Sequence, residues 1–591
     1  MASVYSIRKP IVPLRSRLGC KTCRIRKVKC GQEKPLCVRC TSTGRKCEYD
    51  ANPVSNTFSS TPSTNSILDR SLSSAPNTVW RERRAFAYYS EHVASFMAGD
   101  LDLGFWRQTV PQVCRREPAV WDAVNAISAL FESPDPCLDP VFLRRNPGMF
   151  RSLDQSHQDA LTWYSRSLST IRGQIDRGAV DTHTALVSCV LFVCIETLQG
   201  HVESALELYR QGETLVLNLL NKGIGRGLSI AETTFLKETV IPLFLRLGTI
   251  ALSISGVPPS RLISTYDIMV GNQFTSLDSA RVAITALVSE GMLFQRAAEV
   301  HTLAVGGEQH VAEEFIAQQK TLVSRIEDWH CAFQRFLTSA SKSRDSAAAN
   351  LLTYYAATKI VVSVCLASDE AIYDVHISDF QTIVDQAEIV LDASAGLNGA
   401  QPPFTFEMGA GLPLFLTAMK CRHRSIRAKA LQLLRKSPQI QGFYKCTPGA
   451  ALAQKLAEME EVISSTMLNP EHHTDAFSPA STIMANDTTS AFNLLGHPST
   501  TKLDSTYSEI RKTPPLSPNS VFSNPMIIPN QARIKFVGIF RPQDTPWLVG
   551  NHDLSKWKRG PDQLFIRFMR YRYDTTSGLW EWVDDVVPID Y

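Results

Sequence analysis

The sequence predicts a chain of three parts: a small cysteine-built module, a long mainly α-helical region, and a short β segment near the C-terminal end. Three observations predict it. Six cysteines within the first fifty residues repeat one spacing twice. Apolar residues recur at three- and four-residue intervals from Trp80 to about Met467. From Arg533 onward, aromatic and β-branched residues fill short runs with turn residues between them. At 591 residues, with 44% apolar and 20% charged, the chain is too long for one core and apolar enough for most of it to fold.

The first part reads Cys20-x2-Cys23-x6-Cys30-x6-Cys37-x2-Cys40-x6-Cys47, one half-motif used twice. A tetrahedral zinc site takes four thiolates. Six cysteines therefore serve two zinc ions only if two of them each bridge both metals. By symmetry the bridges belong at equivalent places in the halves, and the first cysteine of each, Cys20 and Cys37, is the natural choice, although spacing alone leaves others open. A disulfide framework is the competing reading for closely spaced cysteines. Against it, Met1 to Leu14 has no apolar run of signal-peptide length and is interrupted by Pro10 and Pro13. A zinc module used only for protein contact is the second competitor. Against that stands the charge: residues 1 to 50 hold 13 Lys or Arg and 3 Asp or Glu, a net of +10, leaving −6 for the rest of a chain whose total is +4. Two zinc ions with six thiolates bring about −2, so the module stays cationic and suited to a phosphate backbone.

The segment resembles the binuclear zinc cluster, the Zn2Cys6 module, of fungal transcription factors. The likeness extends to Arg24, Arg26, Lys27 and Lys29 between the second and third cysteines, and to Lys34-Pro35, where that family turns between halves. The resemblance implies that Cys20, Cys23, Cys30, Cys37, Cys40 and Cys47 hold two zinc ions, with Cys20 and Cys37 bridging. It implies that each C-x2-C turn opens a short helix, and that the C-terminal end of the first helix enters the major groove of double-stranded DNA. Arg26 and Lys27 then read bases, Lys27 foremost, at a guanine O6/N7 edge in a CGG-like triplet. Arg24 and Lys29 hold phosphates. The fold class is accordingly a small binuclear zinc cluster domain followed by a mainly α, multi-helix regulatory domain with a small C-terminal β segment.

Taken in order, residues 1–50 are the expected DNA-binding domain. Residues 51–79, as in SNTFSSTPSTNS, hold too few large apolar residues to offset the entropy of ordering and read as a disordered linker. No a/d heptad run occurs between Glu48 and Trp80, so a homodimer stays compatible with the sequence but gains no coiled coil. The expected helical domain, 80–467, begins with Phe86, Tyr89, Val93, Phe96 and Met97 at helical spacing. Glu117-Pro118 announces another helix, the proline suiting a first turn, with Val120, Val124, Ile127 and Phe131 inward. Helices are expected around Leu161, Tyr164, Leu168 and Ile171, then over Leu186 to Leu198, then through Ala205, Leu206, Tyr209, Leu215 and Leu219, and further over Leu351 to Ala367 and Leu414 to Leu434. The stretches Leu191 to Leu220 and Glu117 to Glu132 resemble the helical regulatory region that accompanies this zinc cluster. The basic run Lys420, Arg422, His423, Arg424, Arg427, Lys429 is expected to be a solvated helix face. The histidines at 301, 310, 330, 472 and 473 lack ligand spacing, and the eight cysteines beyond Cys47 are expected as buried thiols.

Residues 468–530 are polar and Pro/Ser/Thr-rich and read as a second linker; a plain linker is preferred to a segment phosphorylated by proline-directed kinases at Thr513-Pro514 and Ser517-Pro518. In 531–591, Arg533 to Arg541, Leu564 to Tyr573 and Leu579 to Val583 read as strands, with a turn at Asp574 to Gly578. A lone hairpin is marginal in water. A small sheet packed on the helices is therefore preferred to an acidic, aromatic activation segment.

No Gly-rich phosphate loop, H-E-x-x-H or G-x-S-x-G occurs, so no catalytic residue is expected and the protein is not read as an enzyme. The apolar stretch Leu186 to Leu198 is short for a bilayer and contains Glu196, so no membrane partner is expected. The function that follows is a nuclear, sequence-specific regulator of RNA polymerase II genes, with transcriptional coregulators as partners of the helical region. The alternative is a zinc-folded adaptor that contacts proteins without reading DNA.

Overall fold

The computed structural model describes residues 20–47, 76–134, 154–221, 229–254, 260–265, 273–304, 312–340, 345–367, 369–396, 398–468, 526–543, 557, 560, 562–574 and 579–589. The chain divides into two compact units, Met1–Arg70 and Ser71–Tyr591. Most of the residues expected as linkers, with Thr513-Pro514, Ser517-Pro518, His310, His472 and His473, lie outside the described residues, as does most of the Asp574 to Gly578 turn.

The first unit contains two short helices, α1 (Lys21–Ile25) and α2 (Val38–Thr41). Its buried core, among the described residues, is Cys20, Cys23, Cys37 and Cys40, with Cys30 and Cys47 packed against them. Ile25 and Val38 are 72% and 61% exposed. With its apolar side chains left in water, this unit gains little from the hydrophobic effect, and sulfur chemistry has to hold it together.

The second unit opens with α3 (Pro76–Tyr88), which runs through a π-helical turn into α4 (Ala94–Ala98). Then come α5 (Val110–Cys114) and α6 (Pro118–Glu132), the latter with its proline in the first turn as expected. Every residue of α6 from Ala119 to Phe131 is buried, Asp122, Asn125 and Ser128 included, so this helix is a central post and not an amphipathic surface helix. It packs against α7 (Gln155–Asp176) and α8 (Thr182–Leu198), each N-capped by an aspartate, Asp154 and Asp181. Tyr164 and Ile171 of α7 point inward, but Leu161 and Leu168 are both 39% exposed. The inward face instead uses Ala160, Trp163, Tyr164, Ser167 and Ile171. The small residues let α7 approach α6 closely enough for Ser167 to donate a hydrogen bond to the Ala119 carbonyl at 2.7 Å.

Helices α9 (Val202–Asn221), α10 (Ile230–Phe235), α11 (Ile241–Leu252), α12 (Arg261–Thr265), α13 (Leu277–Ala304), α14 (Glu313–Ala340), α15 (Ser346–Val364) and α16 (Ile377–Ser394) continue the unit. Among them lies a buried ionic cluster in which Asp102 bonds Arg246 and, at 3.0 Å, Arg281, while Arg281 also reaches Glu407 at 2.9 Å. A three-stranded sheet that sequence periodicity did not announce, β1 (Phe404–Thr405), β2 (Ile440–Gln441) and β3 (Tyr444–Lys445), sits beside α17 (Gly411–Lys420), α18 (Arg424–Lys436) and α19 (Cys446–Leu468).

The expected continuous helix Leu414 to Leu434 is two helices broken at Cys421–His423, and the basic run across the break is not a solvated face. Arg422 and Arg427 are buried and share the buried Glu460; Lys420 bonds Glu370 at 2.7 Å, Arg424 bonds Glu461 at 2.9 Å, and Lys429 bonds Glu388. Arg422 and Arg427 have to be matched, because two buried guanidinium groups without carboxylates would be prohibitive.

The C-terminal strands β4 (Ile534–Phe540), β5 (Phe565–Asp574) and β6 (Leu579–Pro588) form an antiparallel sheet in that order. Tyr571 lies over Trp582 at 4.1 Å, and Asp584 and Asp585 face Arg567 and Arg570. The acidic, aromatic end is thus the paired edge of a sheet. Among the described cysteines beyond Cys47, Cys331 is exposed, contrary to the expectation of buried thiols. No described helix is long and apolar enough to cross a membrane.

Candidate metal centre and nucleic-acid interface

The two halves of the first unit are built alike, seventeen residues apart. Cys20 and Cys37, in extended conformation, are the N-cap residues of α1 and α2. Arg24 N–H donates to the Cys20 carbonyl at 3.1 Å, and Thr41 N–H to the Cys37 carbonyl at 3.1 Å. The Cys20 N–H donates to Cys30 Sγ at 3.3 Å, and the Cys37 N–H to Cys47 Sγ at 3.2 Å. Each half therefore wraps its third cysteine back onto its first. Between halves, Thr22 Oγ1 donates to the Lys46 carbonyl at 2.8 Å, and the Val38 N–H donates to Glu33 Oε2 at 3.2 Å. Neither contact was legible in the sequence, since both depend on how the halves meet.

This folding gathers the six sulfurs. Two groups of four, Cys20, Cys23, Cys30, Cys37 and Cys20, Cys37, Cys40, Cys47, each have ligand atoms within 4.8 Å of one another. The groups share Cys20 and Cys37, whose sulfurs are 3.6 Å apart. Cys20 to Cys40 and Cys23 to Cys37 are both 3.7 Å. A Zn–S bond of about 2.3 Å implies a tetrahedron edge of about 3.8 Å, so the spacing fits thiolates around metal. It does not fit a disulfide, whose sulfurs stand about 2.05 Å apart, and all six are free cysteines. Burial raises the Cys20 and Cys37 thiols, and Cys20 raises Cys37 further, but the backbone N–H groups of Cys23 and Cys40 and the remaining neighbouring thiols outweigh this, and both lie below the ordinary thiol value. Cys47 is pushed up to about 12, with the Cys37 N–H lowering it and burial and neighbouring sulfurs raising it further.

Arg24, Arg26, Lys27 and Lys29 are all exposed. Arg24 is in the last turn of α1, Arg26 is its C-cap, and the helix stops at Lys27 because that residue takes a left-handed backbone, φ +56°. The Lys27 N–H then bonds the Arg24 carbonyl and the Val28 N–H the Cys23 carbonyl, both at 3.1 Å, which satisfies two helix-end acceptors. The symmetry mate of Lys27 is Gly44, φ +61°, with corresponding bonds to Thr41 and Cys40. An L-residue in this region costs roughly 1–2 kcal/mol that glycine does not pay. Gln32 is the other described non-glycine residue there. The left-handed turn at Lys27 is a feature that sequence reasoning missed; its signal is the glycine at the equivalent position of the second half.

Residues 18–54 match the fungal Zn(2)-Cys(6) binuclear cluster domain. The chain is 26% identical, over 67% of its length and 66% of the relative's, to the aspercryptin biosynthesis cluster-specific transcription regulator atnN of Emericella nidulans. Over 20% of its length and 32% of the relative's it is 31% identical to the Zn(2)-C6 fungal-type transcription factor afumD of Aspergillus fumigatus. It is 53% identical to the transcriptional regulatory protein moc3 of Schizosaccharomyces pombe over 34 residues, 6% of this chain and 7% of the relative. The chain thus spans just under two thirds of the first of these relatives and a third or less of the other two. No solved structure matches it. Two overlapping tetrads of cysteine sulfur and the matched domain show that this chain carries a fungal Zn(2)-Cys(6) binuclear cluster domain, one that binds two zinc ions, and the relatives it is similar to are fungal transcription regulators.

Proposed function

We propose that this transcription factor reads DNA sequence directly, at CGG-like triplets in genes transcribed by RNA polymerase II in the nucleus. The six cysteines of the first unit hold two zinc ions, with Cys20 and Cys37 as the bridges; the overlap of the two sulfur tetrads at those residues supports that assignment. Zinc held by these cysteines would supply the cross-links that position α1, and the C-terminal end of that helix enters the major groove. Lys27 donates to a guanine O6/N7 edge with Arg26 beside it, while Arg24 and Lys29 hold phosphates. The helical unit with its C-terminal sheet carries regulation and coregulator contact, and no step of the function is catalytic.

The observation that carries the reading is the pairing of Lys27 with Gly44. Where the second half uses glycine for the left-handed turn, the first half keeps a long cationic side chain at a backbone position that disfavours it. Residues held in strained conformations concentrate where the side chain has work to do, and contact with a base is that work.

The test is binding of Lys27→Ala, Arg24→Ala and Lys29→Ala to the preferred site and to its one-base variants at two salt concentrations. Lys27→Ala costs about 1–3 kcal/mol on the preferred site and flattens the preference at one position. The other two weaken all sequences alike and lower the salt slope by about one unit each. Uniform loss in Lys27→Ala with full triplet preference retained removes Lys27 as the reader. A zinc-folded adaptor would instead show partner binding that is insensitive to salt and no selected DNA site.

A further inference from the structure

The seam at the break between α17 and α18 is lined by charged groups that meet a distant part of the chain. The Arg424 N–H donates to the Met526 carbonyl at 2.9 Å, and the Ile528 N–H to the Arg422 carbonyl at 3.1 Å, with His423 and Ile527 forming an antiparallel bridge between them. Residues 526–528 thus lie as a strand against the broken helix.

Below this strand is Glu460 of α19, 1% exposed. It accepts from Arg422 Nη2 at 2.9 Å, from Arg427 Nη1 at 2.5 Å, and from the backbone N–H of Ile534 at 2.8 Å, the first residue of β4. Arg422 also donates to the Ile534 carbonyl at 3.2 Å. From the other side comes Arg533, itself buried, which reaches Asp374 at 2.6 Å, the Glu370 carbonyl at 3.2 Å and the Ile528 carbonyl at 3.0 Å. Glu370 is in turn held by Lys420 and Arg422. The contact therefore joins side chains of α17, α18 and α19, of Arg422 before α18 and of the residues before α16 to the segment 526–534.

The connection through residues 469–525 begins one residue after α19 ends at Leu468 and finishes at Met526. Both flanks are tied to one residue: the Arg424 side chain reaches Ser464 and Glu461 of α19, while its backbone N–H bonds the Met526 carbonyl. Arg424 therefore joins the described residues on the two sides of the connection directly.

We propose that the seam formed by Arg422, Arg427, Glu460 and Glu370 is a docking surface for the segment Met526–Ile534 of the same chain, and that it retains the C-terminal sheet on the helical unit when the connection through residues 469–525 is cut. Buried charge pairs are weakly screened by salt, and a group left without its buried partner is strongly penalised, which makes the docking specific. Scission, insertion or modification between residues 469 and 525 then leaves the second unit assembled.

The experiment places a site-specific protease sequence near residue 495 of the full-length chain, cuts it, and follows both fragments by size-exclusion chromatography at low and high salt. The expected result is co-elution at both. Arg533→Gln and Glu460→Gln are carried through the same procedure, so that failure of one to fold leaves the other, and each weakens retention by on the order of a hundredfold or more after cutting. Separation of the wild-type fragments on cutting overturns the proposal. So does unchanged retention in a folded variant of either kind.

Discussion

Lys27 and Gly44 occupy the same left-handed turn in the two halves of the zinc module, and exchanging what each carries separates folding from reading. Lys27→Gly relieves roughly 1–2 kcal/mol of local strain, and the freer unfolded glycine chain returns roughly 0.4–1 kcal/mol of that. The net is a folded module more stable by about 1 kcal/mol. Gly44→Ala is the reverse experiment. An added Cβ at Gly44 meets nothing within 4 Å, so its cost is purely conformational and again about 1 kcal/mol. Because metal binding and folding are one event in so small a unit, each change appears as about a fivefold shift in zinc affinity, tighter for Lys27→Gly and weaker for Gly44→Ala. Competition with a chromophoric chelator measures both, and a DNA titration of the same proteins measures reading. Lys27→Gly is expected to hold zinc better and read its site worse. If Lys27→Gly instead loses zinc more readily than the parent, the left-handed backbone is not a source of strain and the argument that the side chain is kept for its contact with DNA fails.

Replacing Cys20 or Cys37 with serine is expected to release both zinc ions, because each belongs to both sulfur tetrads, whereas Cys47→Ser releases one; native mass spectrometry counts the ions, and equal loss in all three variants refutes the bridging assignment. The second unit is expected to lose stability in acid through Glu460. Burial raises its pKa, but Arg422 and Arg427 more than compensate and hold it at about 2, against an ordinary 4.5. A depressed carboxylate contributes stability that is full above its unfolded value and lost as pH falls through the folded one. The loss therefore runs from about pH 4.5 down to about pH 2, and thermal melts across that window should show a shallower slope for Glu460→Gln than for the parent.

The zinc module was legible in the sequence because its information is local. Six cysteines, two helix starts and nine lysines and arginines lie within the twenty-eight residues from Cys20 to Cys47, and a repeated ligand spacing is sufficient to specify which atoms must converge on metal. The helices were legible for a related reason, since a 3.6-residue period is written along each segment independently. Which face of a helix is inward is a weaker message. Leu161 and Leu168 have helical spacing yet stay at the surface, because α7 presents Ala160 and Ser167 to α6 and closer approach between backbones outweighs burial of two leucines.

Charge carried the least information in sequence form. The run from Lys420 to Lys429 has the composition of a solvated face, but Arg422 and Arg427 are buried because Glu460 stands 38 and 33 residues away in the chain and beside them in space. The sequence by itself determined the metal chemistry, the helical character of the long middle part and the strands near the end, all of which follow from spacing within a few tens of residues. Tertiary structure alone decided where the buried charges find their partners and which residues of α7 face α6. These depend on contacts between segments far apart in the chain, and no local period records them.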